Sequence, residues 1–376
     1  MTPASLKRFK RLRNDFHQFC CSLILRDMTH LWSGRAATVM AQYFAQVGNV
    51  GAFMSAHPHL NLTQREAVLL ANRLIQENVI EFVVTWDSGP GLGSAYHTYN
   101  LPPQDEIDYG VLECLVHGFP FIRHHFQSAV VPLLQRSGSA PDGEIGSAFL
   151  IESGKILTAR HCIVGHAPSK ALSVELIGID PRTIERILIP KDSRRDMAVA
   201  VCRKTLECER NRLRLGTGFV LDEVMALGYP PIPGYFNVLS ALRARVAGDL
   251  SEYLRSTTGD IAASEKPYLT PLRTYLMSAR VKGGSSGGPV INKRGEVIGM
   301  IFASPSSDSQ EIDRLGFGTA IASSEIEEFL SEIANEADCV GQVNFEVVEG
   351  ILKLELGGWW RRLKVERIHF RKKIRP

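Results

Sequence analysis

Along the first hundred residues the apolar positions recur at helical spacing, whereas beyond about residue 128 they gather into short β-branched runs. Within "LTQREAVLLANRLIQENV", Ala67, Leu70, Ala71 and Leu74 fall at i, i+3, i+4 and i+7, the stripe of an amphipathic helix. Thr63 followed by Glu66 has the spacing of a capping box, in which each side chain satisfies the other residue's backbone N–H. After this helix "VIEFVV" (79–84) and "AYHTYNL" (95–101) read as two strands, separated by the Gly/Pro-rich loop "DSGPGLG". Residues 104–127 read as a connecting segment, partly helical and broken at Pro120.

From residue 128 onward the runs "AVVPLL", "GSAFLI", "KILTA", "LSVELIGI", "RILIP", "MAVAVC", "EVMALGY", "LSALRARV", "GPVIN", "EVIGMIFA" and "GFGTAI" alternate with Gly, Pro, Asp and Ser. Many short strands at close spacing predict a sandwich or a pair of barrels, not a parallel sheet. "SSEIEEFLSEI" (323–333) closes that region as a helix, with Ser324 and Glu327 at capping-box spacing. Residues 342–370 alternate apolar and polar once more, giving a few strands that run into a basic tail.

These patterns predict a multi-domain α+β chain. Its parts are a basic amphipathic helix over 1–29, a helical unit with a two-stranded ribbon over 30–103, the connecting segment 104–127, a mostly β domain over 128–337 and a β-rich basic C-terminal extension over 338–376. Helices followed by a ribbon with a long loop make a winged-helix plan. The order "REAVLLANRLIQENVIEFV … YHTYNL" resembles DEP-type winged-helix domains over 30–103. The glycines at 89, 91 and 93 are not a phosphate loop, because no Gly-Lys-Ser/Thr follows them.

Composition changes this picture little. The net charge of +3 says nothing about partners as a whole, but basic residues cluster at both ends, from Lys7 to Arg13 and from Arg361 to Arg375. Such a cluster is more often a solvated face than a binding site. No apolar run approaches the ~20 residues that span a bilayer. The seven cysteines include no Cys-x-x-Cys and mostly lie among apolar neighbours. Buried free thiols in a reducing compartment fit that usage better than a disulfide framework or a zinc site, so the expected location is cytoplasmic. An organelle presequence is the alternative, since no acid precedes Asp15.

Candidate chemistry centres on "GGSSGGPV", residues 283–290. A serine hydroxyl needs a base in hydrogen-bond reach, a group that orients the base, and donors aimed at the developing oxyanion. Glycines around the serine allow a tight turn with backbone N–H groups pointing into a cleft. The run lies between the predicted strands "YLMSARVK" and "PVIN", which places serine at the apex of a strand–turn–strand unit. His161 follows the predicted hairpin "GSAFLIESGKILTA" and is the preferred base over His124, His125 and His166. Asp196 directly precedes the alternating strand "MAVAV", where an acid is costly to bury unless paired, while Asp192 in "PKDSRRD" reads as solvent-facing.

"GSAFLIESGKILTARHC", "DMAVAVC" and "GGSSGGPVINKRGEVIGMIF", in that order, resemble the chymotrypsin/trypsin-like serine peptidases. Within them the similarity is to the HtrA/Deg-like and glutamyl-endopeptidase branches, and it extends to "LDEVMALGYPP" and "RLGFGTAIASSEIEEFL", covering roughly 128–335. The resemblance implies a double β-barrel with Ser286 as nucleophile, His161 as base and Asp196 as its orienter, and with the N–H groups of Gly284 and Ser286 as the oxyanion hole. It further implies that Gly299–Ala303 adds the substrate backbone as a strand, with Phe302, Ala303 and Ser304 lining the substrate site. Arg280 falls near the base of the specificity pocket, with the alternative that it points to solvent. Two departures matter. Ser285 stands where secreted digestive members carry the aspartate used in proenzyme activation, and "GSAFLIES" offers Cys162 no disulfide partner. No PDZ-like module is recognisable after the peptidase segment, so the resemblance is to the catalytic domain alone.

The expected function is therefore an intracellular serine endopeptidase that cuts a polypeptide substrate without a cofactor, with 30–103 recruiting substrate or a protein regulator. The alternative is a catalytically silent regulator using the winged-helix region for protein or nucleic-acid binding. Nucleic acid is the weaker partner class, because helix 64–78 sets Arg65 and Arg73 against Glu66 and Glu77.

Overall fold

The computed structural model describes residues 32, 34–84, 95–137, 144–151, 154–165, 172–203, 212–230, 253–266, 271–302, 317–348 and 351–355. The predicted helix over 1–29, the loop "DSGPGLG", the run "LSALRARV" and the basic tail from 361 lie outside them. The chain divides into two compact units, one of Met1–His124 with Lys293–Gly295 and one of His125–Asn292 with Glu296–Pro376. Among the described residues no helix is long and apolar enough to cross a membrane.

In the first unit the order is helix α1 (Ala36–Tyr43), strand β1 (Gly48–Asn49), α2 (Val50–Ala56), α3 (Gln64–Gln76), β2 (Ile80–Val84) and β3 (Ala95–Thr98). The strands form an antiparallel sheet in the order β1-β3-β2. The α3 stripe Ala67, Leu70, Ala71 and Leu74 is buried against Met40, Phe44, Phe53 and Tyr96. Each such leucine contributes about 1.5–3 kcal/mol by leaving water. The capping box at its start is formed as the spacing predicts. Thr63 N donates to Glu66 Oε2 at 2.7 Å, and Glu66 N donates to Thr63 Oγ1 at 3.3 Å. β1 was not foreseen, since two residues carry no alternation to detect.

The segment after β3 is more ordered than a connector. It forms α4 (Gln104–Tyr109), α5 (Val111–His117) and α6 (Phe119–Phe126). Gly110 and Gly118, at φ of 98° and 66°, supply the left-handed backbone at the junctions. The break therefore falls at Gly118 and not at Pro120, which sits in the first turn of α6, where its missing N–H costs no helical bond. Ile107, Leu112 and Val116 are part of the core that α3 builds. Glu113, 1% exposed, accepts from Thr38 N at 2.9 Å and Thr38 Oγ1 at 2.8 Å, satisfying first-turn donors of α1 from a distant helix.

The second unit holds two closed β-barrels. One has eight strands, β4 (Val130–Ser137), β5 (Glu144–Leu150), β6 (Lys155–Thr158), β7 (Leu172–Leu176), β8 (Ile184–Pro190), β9 (Ala198–Cys202), β16 (Val340–Val348) and β17 (Ile351–Glu355), joined in the order β16-β17-β7-β4-β5-β6-β9-β8. The other has six, β10 (Glu223–Gly228), β11 (Arg255–Glu265), β12 (Thr274–Met277), β13 (Pro289–Asn292), β14 (Val297–Ile301) and β15 (Gly318–Ala322), in the order β10-β11-β12-β15-β14-β13. Alternate residues such as Val224 and Ala226, Tyr275 and Met277, and Ala320 and Ala322 fill its interior.

Three expectations change here. β16 and β17 pair with β8 and β7, so residues 340–355 are staves of the first barrel and not an extension beside it. β11 was missed because its composition is small and polar, with Ile261 its one fully buried apolar side chain. The closing helix α8 (Ser323–Ala334) starts at Ser323 with no side-chain cap bond, so Ser324 and Glu327 form no capping box. Instead Ser323 Oγ donates to Gly216 O at 2.6 Å and Glu325 accepts from Arg273 N at 3.0 Å.

Candidate active site

Strand register brings His161 and Asp196 together. β6 pairs antiparallel with β9, Thr158 opposite Ala198, so the residues just after β6 and just before β9 emerge side by side. His161 lies in the short helix α7 (Arg160–Val164), and Asp196 stands two residues before β9. The carboxylate takes two bonds from one residue: His161 N donates to Asp196 Oδ1 at 2.9 Å, and His161 Nδ1 lies 2.7 Å from Asp196 Oδ2. An ionised carboxylate only accepts, so Nδ1 carries a proton in either charge state, and the neutral ring keeps its lone pair on Nε2. Burial opposes charging of this imidazole. The Cys162 sulfur, and then the hydrogen bond and charge of Asp196, work the other way, and the His161 pKa lies well above the ordinary 6.5.

The serine turn precedes β13 and is shaped by glycine. Gly284 and Gly287 both have φ of 84°. A Cβ on Gly287 would lie 2.2 Å from Ser147 O, and one on Gly288 would lie 2.1 Å from Leu227 O. Neither site tolerates any side chain. Within the turn Ser285 N donates to Lys282 O (3.0 Å), Gly287 N to Ile301 O (2.7 Å) and Gly288 N to Ser285 O (2.9 Å). The N–H groups of Gly284 and Ser286 take no part in these bonds. The preceding strand β12 ends at Met277, five residues sooner than "YLMSARVK" suggested, so a longer stretch of irregular backbone leads into the turn.

Ser286 is 5% exposed. Its carbonyl accepts from Ser147 N at 2.8 Å and lies 3.5 Å from Cys162 Sγ, the residue next to His161. Thus the turn of one barrel is tied to β5 and α7 of the other, through Ser147 and Cys162. Cys162 is a buried free thiol. A Cβ on Gly146 would stand 2.6 Å from its sulfur, so the position opposite this thiol is filled by a residue with no side chain.

Sequence reasoning missed Ser147. It is fully buried, donates its hydroxyl to Gly284 O at 2.9 Å and accepts from Tyr229 N at 2.9 Å, which fixes the peptide before Ser285. Its only advance signal is a small polar residue inside an otherwise apolar strand. Thr158 Oγ1 supports it in turn, donating to Ser147 O at 2.7 Å.

Other candidates fare differently. Arg280 is exposed, its carbonyl accepting from Thr257 Oγ1 at 2.7 Å, which leaves no buried cation at that position. Phe302 is buried, and its N donates to Thr319 O at 3.2 Å. Ala303 and Ser304 lie outside the described residues. The expectation that Gly299–Ala303 pairs with substrate fails for Gly299–Ile301, because β14 already has β13 on one side and β15 on the other. Asp192 is occupied within its own turn by Arg194, which holds its carboxyl below the usual range. His124 and His125 sit in α6, and His166 lies outside the described residues.

With this geometry in place, the comparison with known families is direct. Residues 146–300, which run from the strand bearing Ser147 through the serine turn to β14, match the model of the trypsin-like peptidase domain. The chain carries a trypsin-like peptidase domain. Protease Do-like 2, chloroplastic, of Arabidopsis thaliana is 25% identical over 202 residues, which are 52% of this chain and 29% of that protein. The chain thus spans less than a third of that curated relative's length. Among solved structures, the active form of the Rv3671c protease from M. tuberculosis has a TM-score of 0.40 and 19% identity, covering 56% of this chain and 83% of that one. The HtrA-type protease AlgW with a decapeptide has a TM-score of 0.39 and 19% identity, covering 60% and 69%. His161, Asp196 and Ser286 all fall inside the matched peptidase span.

Proposed function

We propose that the chain is a serine endopeptidase in which Ser286 attacks the scissile carbonyl. His161 Nε2 takes the hydroxyl proton and later delivers it to the leaving amine, while Asp196 holds the ring in the Nδ1–H tautomer and stabilises the transient imidazolium. The N–H groups of Gly284 and Ser286 receive the oxyanion. The doubly gripped carboxylate carries this reading: an aspartate bonded at once to the backbone and the ring of one histidine, beside a glycine-forced serine turn, is an orienting device. A side-chain pair serving stability alone has no need of the second feature.

A fluorophosphonate probe tests it. Wild type and Ser285→Ala are expected to label, and Ser286→Ala is expected not to. Labelling that survives Ser286→Ala removes the assignment. Because Arg280 is exposed, the reading includes no preference for acidic side chains at the cut site.

For the first unit, the order helix–strand–helix–helix–strand–strand with its three-stranded sheet supports a winged-helix reading. Arg73 of α3 is engaged by Gln76 and Glu77, which favours a protein regulator or substrate over nucleic acid as its partner. Steeply salt-dependent binding of duplex DNA by the full chain would reverse that preference. A free thiol at Cys162 beside Gly146 supports residence in a reducing compartment, the cytoplasm or an organelle stroma.

A further inference from the structure

The short turn between β8 and β9 has to hold Asp196 still, and most of its bonds are local. Arg194 N and its guanidinium bond Asp192, Arg195 N donates to Asp192 O at 3.1 Å, and Met197 N donates to Arg195 O at 2.9 Å. Arg160 Nη1 reaches the turn at Ser193 O, at 3.3 Å. One side chain leaves the turn for a distant element. Arg195 Nη1 lies 2.8 Å from both carboxylate oxygens of Glu332, on α8. Its guanidinium carbon also stands 5.7 Å from the centre of the Phe329 ring, one helical turn earlier on the same face. Phe329 is fully buried, and α8 is fastened at its start through Ser323 and Glu325, so the partner of Arg195 is a fixed surface. Both charged side chains are largely covered, at 12% and 19% exposure.

We propose that Arg195 and Glu332 are a positioning pair for the peptidase reaction: Glu332 holds the Arg195 guanidinium and so keeps it from taking the Asp196 carboxylate that His161 needs. The inference rests on the triad reading above. Arg195 is the chain neighbour of Asp196, and an arginine without its carboxylate partner turns to the next one in reach. The charged or titratable groups facing Arg195 are Asp192 within the turn, Glu332 on α8 and Cys339 just before β16. Those facing His161 are Asp196 and Cys162. Among them, Glu332 is the one that competes with Asp196 for the guanidinium from outside the turn.

The test compares full-length wild type, Glu332→Gln, Arg195→Lys and the double variant Glu332→Gln/Arg195→Met, using the pH profile of fluorophosphonate labelling and NMR titration of the His161 ring. Loss of hold on a reacting group by about an ångström can cost up to about 100-fold. Glu332→Gln is expected to lower the labelling rate about tenfold and to move the His161 midpoint down, because Asp196 no longer supports the imidazolium fully. Arg195→Lys is expected to keep most of the rate, since both oxygens bond a single nitrogen that a lysine Nζ can replace. The double variant, with no stray guanidinium, is expected to recover to within about threefold of wild type. Superimposable titrations and rates for wild type and Glu332→Gln overturn the proposal, as does a double variant no better than Glu332→Gln. Labelling that persists in Ser286→Ala is a different failure, that of the triad reading. The NMR titration, which needs no turnover, then still decides whether Glu332 positions Asp196.

Discussion

In the eight-stranded barrel the site's side chains are held by other side chains; in the six-stranded barrel the site's backbone is held by the absence of them. His161 and Asp196 are placed by strand register and locked by a hydrogen-bonded carboxylate. Ser286 is placed by Gly284, Gly287 and Gly288, whose φ values and clearances exclude any Cβ. One half of the site is therefore sensitive to charge and the other to volume. Ser147 joins the two, since it sits on a strand of the first barrel and fixes the turn of the second.

The comparison breaks most sharply at the proposed nucleophile. Ser286→Ala is expected to reduce kcat on the order of 10⁶-fold with an unchanged melting temperature, measured on a casein substrate beside wild type. On the charge-sensitive side, Asp196→Asn keeps the shape but presents the wrong donor to His161. A loss in kcat of about 10⁴-fold with little change in KM is expected from steady-state kinetics. On the volume-sensitive side, Gly287→Ala adds a single methyl where 2.2 Å is available. It is expected to lower stability by about 3 kcal/mol in a denaturant titration and labelling by about 100-fold, through displaced oxyanion donors.

A pH series sharpens the contrast with a smaller effect. The folded His161 pKa is raised, so the protonated form stabilises the fold; that contribution is complete below about 6.5 and fades as pH climbs through the folded value. In the proposed reaction neutral His161 is the base, so labelling is expected to rise over the interval in which this stabilisation is lost. Thermal melts of wild type are expected to decline across that interval, and those of His161→Ala to show less decline. Parallel curves would mean that His161 does not couple to folding.

Much of this was legible in the sequence where the signal is local. The helix at 64–76 announces itself through its stripe and capping box, and the short apolar strands through their periodicity. His161, Asp196 and Ser286 stand at strand ends that the pattern marks, and the structure pairs His161 with Asp196. What was not legible depends on pairing between distant segments. A strand such as Arg255–Glu265 carries almost no apolar alternation, because the barrel's interior is filled from the other side. Ser147 looks like any small strand residue until Gly284 and Tyr229 are brought to it. Glu332 reads as a solvated helix charge until Arg195 arrives from 137 residues away.

The place of β16 and β17 sets a condition on synthesis. The first barrel's wall runs from β8 through these two strands to β7, so a ribosome must finish the entire six-stranded barrel and α8 before the earlier barrel can seal. At roughly 5–20 residues per second, the first barrel stays open on the order of ten seconds after β9 is made. A nascent chain therefore carries an open first barrel until Glu355 has been made.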